Sequence, residues 1–223
     1  MNLSKIKSLV FATLMVAFMF SVCGCALLFG STKPPENLEA VDLGLPSGTK
    51  WSNVNFGTDG PFGAGFYYQP YQRSAEEFSG NEKFDIVARE WGNGWRIPTA
   101  EQVRELIDNC QWEWSRNSVT GKGYYTVTGK NGNSIILPGT GNSYHGRVIN
   151  TDEKGFFIED GHYWTATPYN DTAIVNLHID SRGYSLVYSD DREVGFPIRP
   201  VYVPNVQNFN KDDNENEIGS RNK

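Results

Sequence analysis

A helix is predicted just before the middle of the chain by apolar residues that recur at helical spacing. Thr99 can cap its first turn, and Gln102, three residues later, completes a capping box. Pro98 keeps the preceding backbone extended, so the helix is expected to begin after Thr99. Its apolar face follows the i, i+3, i+4, i+7 pattern and consists of Val103, Leu106, Ile107 and Cys110.

An earlier helix is expected from about Asn81 to Gly92, which can end it. The apolar residues that would share one of its faces are Phe84, Val87, Ala88 and Trp91. Trp112 and Trp114 follow the later helix, and they would point to different sides if that segment stayed helical.

The period changes to two after residue 120, which predicts strands. They are expected at 124–128, 134–137, 162–167, 173–179, 184–188 and 196–203, after two shorter strands within 38–54. Asn131-Gly132 is a strong hairpin signal between the first two of the later strands. Helices followed by antiparallel strands predict the α+β class.

Two further expectations concern this second half. In 173–179 the odd-numbered residues are apolar and the even-numbered residues largely polar, which predicts one dry face and one wet face. Residues 139–161 are long, polar and without clear periodicity, so they are expected to form a loop that could carry function.

The N-terminus has the organisation of an export signal. Two lysines precede an apolar run over 9–22, which ends in Val22-Cys23-Gly24-Cys25. This end resembles a bacterial lipobox, which implies cleavage before Cys25 and attachment of diacylglycerol to its sulfur. An uncleaved anchor or an ordinary secreted chain is the alternative. Residues 1–24 would be the signal peptide and 25–37 a tether.

Composition then limits the partners. The formal charge is −6, and removing residues 1–24 takes away two lysines and no acid, which leaves −8. An acidic chain has no general attraction for nucleic acid or for an anionic membrane, so contact with the bilayer is expected through the lipid on Cys25. Residues 38–203 suffice for one domain, and the polar tail 204–223 is expected to be disordered.

Cysteine and histidine usage gives no catalytic or metal motif. Cys110 would remain as a single buried thiol, so no disulfide is expected. The three histidines, His145, His162 and His178, lack the spacing of a zinc site, and structural or exposed roles are expected for each. Neither a metal nor another cofactor is predicted.

Several motifs resemble one family. Their residues occur in the order VDLGLPSG-TKW near 41, WG-GWRIPT-EQ-REL near 91, NGNSIILP near 131, YWTAT at 163 and R-VGFPIRPV at 192. They are similar to the Fibrobacter succinogenes major paralogous domain (FISUMP) family. The resemblance implies a C-type lectin-like fold, with two helices packed on a small curled antiparallel sheet with long loops, in exported or lipid-anchored bacterial proteins.

The segment WRIPT-E also resembles, more distantly, the formylglycine-generating enzymes, which share that fold and depend on paired cysteines. Because Cys110 is unpaired, their activity is not expected to carry over. The calcium- and sugar-binding motifs of animal C-type lectins are absent as well.

Two loop segments are the candidate ligand-binding surface. Tyr144, His145 and Arg147 lie in 139–150, and Asp190 and Asp191 lie in the neighbouring turn 189–192. Tyrosine and arginine with glycine freedom suit sugar or protein contacts. Together with Asp171 and Asp180, these acidic residues could also gather calcium, although solvated turn residues are the favoured interpretation. Structural roles are expected for Trp91, Trp95, Arg96, Thr99, Cys110, Trp164, Arg192 and Arg199.

The function expected from these observations is a lipid-anchored, non-enzymatic module of the cell envelope that binds a glycan or a protein through its loop face. The alternative is a structural or assembly subunit of an envelope or pilus-like complex. The anchored lipoprotein is expected at the outer membrane, on either its periplasmic or its outer surface.

Overall fold

The computed structural model describes residues 32–69, 81, 84–149, 159–191 and 193–203. These residues form two helices, α1 (Ile86–Trp91) and α2 (Ala100–Asn109). The strands are β1 (Ala40–Asp42), β2 (Lys50–Ser52), β3 (Trp95–Arg96), β4 (Gln111–Arg116), β5 (Gly123–Thr128), β6 (Ser134–Pro138), β7 (Asn142–Tyr144), β8 (Arg147–Ile149), β9 (Gly161–Pro168), β10 (Ile174–Asp180), β11 (Gly183–Ser189), β12 (Val194–Gly195) and β13 (Val201–Tyr202). Small antiparallel sheets with two helices make an α+β architecture, as the sequence predicts.

Helix α2 begins where the capping box places it. The Thr99 hydroxyl accepts from the backbone N–H of Gln102, and the Gln102 side chain accepts in return from the backbone N–H of Thr99. Val103 and Leu106 are buried, while Ile107 and Cys110 pack partly buried against the same core. The predicted apolar face is therefore the face that packs.

Helix α1 is shorter than predicted because Asp85 caps it. One Asp85 carboxylate oxygen accepts from the backbone N–H groups of Val87 and Ala88, and the other accepts from Ile97. The start near Asn81 was therefore misplaced. Gly92 ends the helix at φ +59, as expected.

The segment after α2 is a strand and not a helical continuation. Trp112 and Trp114 both contact Tyr125 on the neighbouring strand β5, at ring-centroid distances of 5.5 and 4.9 Å. Residues two apart in a strand point to the same face, so the helical condition under which these tryptophans would diverge is not met. Strand β5 pairs in turn with β6 through the predicted hairpin at Asn131-Gly132.

The described strands form four sheets, ordered β1-β2-β13-β3, β11-β10-β9, β12-β7-β8 and β4-β5-β6. In the second sheet, the expected wet face of β10 is covered. Ile174 and Asn176 are buried there, and Ile174 joins a core cluster with Trp164 and Phe196. A register irregularity between Ile174 and Asn176 accompanies this burial. The strand is thus packed on both faces.

Two apolar clusters make the core, one around α1 and one around α2. Arg199 lies buried with 1% of its surface exposed. Its guanidinium donates to the Ser52 carbonyl, the Ile136 carbonyl and the Asn55 side chain. One buried arginine therefore joins β2, β6 and the segment after β2.

The two ends of the described chain bond to residues three positions apart. The Trp91 indole donates to the Thr32 carbonyl at 3.0 Å, and the Val203 backbone N–H donates to the Gly94 carbonyl at 3.0 Å. Among the described residues, contacts with the domain thus include the first one, Thr32. Residues 1–24, Cys25 and the tail 204–223 lie outside the described residues. None of the described helices has the length and apolar character needed to span a membrane.

Candidate functional site

The predicted loop 139–161 contains a hairpin. Strands β7 and β8 pair with Tyr144 opposite Arg147, so His145 and Gly146 form a two-residue turn. Both turn residues have positive φ, +48 for His145 and +74 for Gly146, as a type I′ turn requires. The loop interpretation was therefore wrong for residues 142–149, and the absence of an Asn-Gly pair hid this turn.

The candidate residues Tyr144 and Arg147 belong to one face of this hairpin. Because side chains alternate along strands, Asn142, Tyr144, Arg147 and Ile149 share a face, which we call the hairpin surface. Tyr144 and Ile149 are each 39% exposed, and Arg147 is exposed. On the opposite face Ser143 of β7 is buried, whereas its partner Val148 of β8 is 51% exposed, so β7 is packed on that face and β8 is open on both.

The acidic turn lies beside this hairpin. Strand β12 pairs with β7, with Val194 opposite Tyr144. His145 Nδ1 is 3.4 Å from Glu193 Oε2, and the Asp191 side chain accepts from the Glu193 backbone N–H. The structure thus brings the two predicted loop segments together. Arg192 lies outside the described residues.

Among the described residues, the acidic turn residues do not form a calcium ligand set. Within the described part of the chain, no group of three close potential ligands includes Asp171, Asp190 or Asp191. Asp180 instead forms an ion pair with Arg182 across a tight turn, at 2.6 Å between Oδ2 and Nη2. This contact and the backbone N–H groups of the turn hold the pKa of Asp180 below its usual value.

Two of the histidines, for each of which a structural or exposed role was expected, lie side by side. His162 of β9 lies directly opposite His178 of β10, with 4.7 Å between the ring centroids. Asp160 joins them, and one potential ligand atom of each of the three residues lies within 4.8 Å of the other two. Sequence spacing could not reveal this cluster, since strand pairing creates it.

The surroundings fix the His162 ring. Its Nδ1 is 2.8 Å from the Asn176 side-chain oxygen, and Phe196 stacks on the ring at 4.5 Å. Burial lowers the pKa of His162, an effect that its hydrogen bond to Asn176 opposes. The imidazole is therefore held neutral near physiological pH.

Cys110 lies half-buried at the end of α2 and is a free thiol within the part of the chain that the structure describes. Burial is the main cause that raises the pKa of its thiol, and Glu105 adds to the effect. A thiol held protonated is a poor nucleophile, so this environment does not favour cysteine catalysis.

An exposed aromatic pair was not predicted from the sequence. Tyr169 and Tyr188 stack in parallel at 4.1 Å and are 57% and 56% exposed. The pair lies at the end of the β9-β10-β11 sheet where Asp171 also lies. A separate open cleft of about 620 Å³ is lined by residues 33–37 and 57–59.

The remaining residues predicted to be structural lie in the framework. Trp91 and Trp95 are buried with their rings edge to face at 5.4 Å. Trp164 is buried and its indole donates to the Tyr68 carbonyl. Arg96 donates to the Trp95 carbonyl.

Comparisons of the chain with protein-family models, with curated proteins and with solved structures found no match. The geometry of the described residues is therefore what supports a function.

Proposed function

We propose that this chain is a non-enzymatic binding module of the cell envelope, anchored by a lipid on Cys25 and bound to its ligand through the hairpin surface. The observation that supports this proposal most is the exposure of Tyr144, Arg147 and Ile149 on a hairpin with a defined turn. Exposed aromatic, aliphatic and guanidinium groups side by side are typical of recognition surfaces.

A C-type lectin-like arrangement is the proposed fold family, with FISUMP as the family. Its support is the pairing of the C-terminal strand β13 between β2 and β3, together with two helices. The motif residues Trp95, Thr99 and Arg199 all act in packing or capping. The motif residues thus stabilise the fold, and the hairpin surface lies outside the motifs.

A protein is the favoured ligand class. Ile149 is aliphatic and 39% exposed on the hairpin surface, and such a residue contributes mainly by desolvation against another apolar surface. A glycan would be expected to use aromatic stacking and planar polar groups, which Tyr144 and Arg147 also offer on this hairpin. Glycan binding is therefore an outcome that the test must be able to report.

The test uses the full chain, purified in detergent and applied to arrays of extracellular proteins and of glycans. The double variant Tyr144→Ala, Arg147→Ala should abolish binding to any ligand that the arrays identify, because it removes two side chains from the same face. Tyr169→Ala with Tyr188→Ala is the matched control, since it also removes exposed side chains from a strand end. Equal binding by both double variants would refute the hairpin surface.

The alternative is an assembly subunit, and strand β8 supports it. Among the described strands, β8 is the edge of its three-stranded sheet, and all three of its side chains are exposed. An edge strand offers backbone groups to a strand from another protein. Cross-linking in intact cells separates the proposals, because a single protein recovered with this chain in a fixed ratio would favour assembly.

An enzyme of the formylglycine-generating type stays a remote proposal. Such chemistry needs two cysteines, and Cys110 is half-buried with a raised thiol pKa. Aldehyde formation on a cysteine peptide would be the result that revives it.

A further inference from the structure

The cluster of Asp160, His162 and His178 carries an inference beyond ligand binding at the hairpin. His162 and His178 are cross-strand partners, so the antiparallel ladder itself sets the distance between their rings. Asp160 precedes β9 and comes within reach of both. Three potential ligand atoms within 4.8 Å of one another can converge on one ion after small side-chain rotations.

The carboxylate supplies an independent observation. Asp160 Oδ1 is buried and has no hydrogen-bond partner among the described residues. A buried carboxylate oxygen without a partner is costly, and native structures rarely leave one. A cation between this oxygen and the two imidazoles would satisfy it.

The hydrogen bond between His162 and Asn176 prepares one ring nitrogen for coordination. The Asn176 side-chain oxygen can only accept, so Nδ1 of His162 carries the proton. Nε2 therefore keeps its lone pair. Histidine ligands in metal sites commonly donate their other ring nitrogen in this way, which fixes tautomer and orientation.

We propose that Asp160, His162 and His178 bind one divalent transition-metal ion of the zinc class. Two imidazole nitrogens and one carboxylate oxygen suit Zn²⁺ and Co²⁺ better than Ca²⁺ or Mg²⁺, which prefer oxygen ligands alone. Three protein ligands leave a coordination position for water or for an oxygen of a bound molecule.

The site lies at the base of the hairpin. The Gly141 backbone N–H donates to the Asp160 carbonyl at 2.9 Å, and Gly141 immediately precedes β7. Phe196, which stacks on His162, immediately follows β12. A bound ion would therefore lie beside the start of β7 and the end of β12, next to the hairpin surface. The metal site does not depend on the proposed function, and either can fail alone.

The test measures binding of ZnCl₂ and CoCl₂ to the full chain in detergent, after removal of metals with a chelator. We expect saturable binding of about one equivalent, measured by calorimetry and by metal analysis after dialysis. Bound Co²⁺ should show the visible absorption of a low-coordinate site with nitrogen ligands.

Three variants test the assignment. Asp160→Asn and His178→Gln should each weaken binding at least about tenfold, because each removes one ligand. His145→Asn is the matched control, since it removes the exposed histidine outside the cluster and its positive φ suits asparagine. Circular dichroism checks that each variant is folded.

Three results would overturn the proposal. They are the absence of saturable binding by the folded parent chain, equal affinity in folded His178→Gln, and loss of binding in His145→Asn. A zinc-bound parent chain that still binds no array ligand would count against the hairpin surface only.

Discussion

Arg199 Nε donates to Asn55 Oδ1 at 2.7 Å in the buried interior, across 144 residues of sequence. The Asn55 amide nitrogen donates onward to the carbonyls of Gly63 and Ala64, at 2.9 and 3.1 Å. The guanidinium therefore organises a loop that it does not touch. Desolvation lowers the pKa of Arg199 to about 10, which still leaves it charged at neutral pH.

Replacing Arg199 should be among the most destabilising changes in the chain. Arg199→Met leaves the Ser52 carbonyl, the Ile136 carbonyl and the Asn55 amide oxygen without this donor, and we expect a loss of about 2–4 kcal/mol. Arg199→Lys should recover only part, since an ammonium lacks the planar fork. Urea unfolding measures both.

Arg147→Met is the control for this series, because Arg147 is exposed on the hairpin. Its effect on the free energy of unfolding should stay within about 0.5 kcal/mol. A small effect of Arg199→Met would contradict the role assigned to the buried guanidinium.

The capping box of α2 makes a second prediction. Thr99→Ala removes the hydroxyl that accepts from Gln102, so the protein should lose about 1 kcal/mol of stability. Thr99→Ser keeps the acceptor and should restore most of it. Thermal unfolding of the three proteins decides the point, and equal midpoints would show that the cap contributes nothing.

The turn of the hairpin makes a third prediction. His145 has φ +48, a conformation that β-branched residues resist, so His145→Val should cost about 1–2 kcal/mol. His145→Gly removes the imidazole as well but accepts this conformation. Amide hydrogen exchange at Tyr144 and Arg147 should therefore accelerate in the valine variant and not in the glycine variant. The reverse order would refute the turn type.

Cys110 should react slowly with alkylating agents. Because its thiol pKa is raised, the thiolate appears at higher pH in the folded chain than in the unfolded chain. Iodoacetamide labelling across a pH series, followed by peptide mass spectrometry, measures this shift. Glu105→Gln removes the second cause and should move the curve back toward lower pH. Fast labelling at neutral pH would mean that the thiol is activated.

The lipid on Cys25 is tested by metabolic labelling with a palmitate analogue. The parent chain should carry label and fractionate with membranes, whereas Cys25→Ala should carry none, because the acceptor sulfur is gone. Cys23→Ala is the matched control and should label normally. Label retained by Cys25→Ala would reject the lipoprotein assignment.

Local chemistry explains which parts of the fold the sequence predicts well. Thr99 with Gln102, Gly92 and Asn131-Gly132 each act within a few residues, and each element occurs where these residues place it. Asp85 is also a local cap, since it accepts from residues two and three positions later, but its bond to Ile97 follows from no local pattern.

Long-range pairing explains what the sequence did not reveal. Trp112 and Trp114 lie in a strand because β5 provides a partner, which overrides helical continuation. Asn176 and His178 looked exposed by alternation, but Phe196 and His162 arrive from distant segments to cover that face. The candidate metal cluster depends on this same register, so only the folded chain shows it.

Thr32 and Val203 bond to residues 91 and 94, so both ends of the described chain are held by the segment that links α1 to β3. Joining its two ends would close the chain into a ring. A short peptide joining these ends, with a new opening at the exposed turn 118–121, would keep every strand pairing while changing the order of synthesis. The choice of opening would decide where a membrane anchor leaves the domain, and thereby which way the hairpin surface faces.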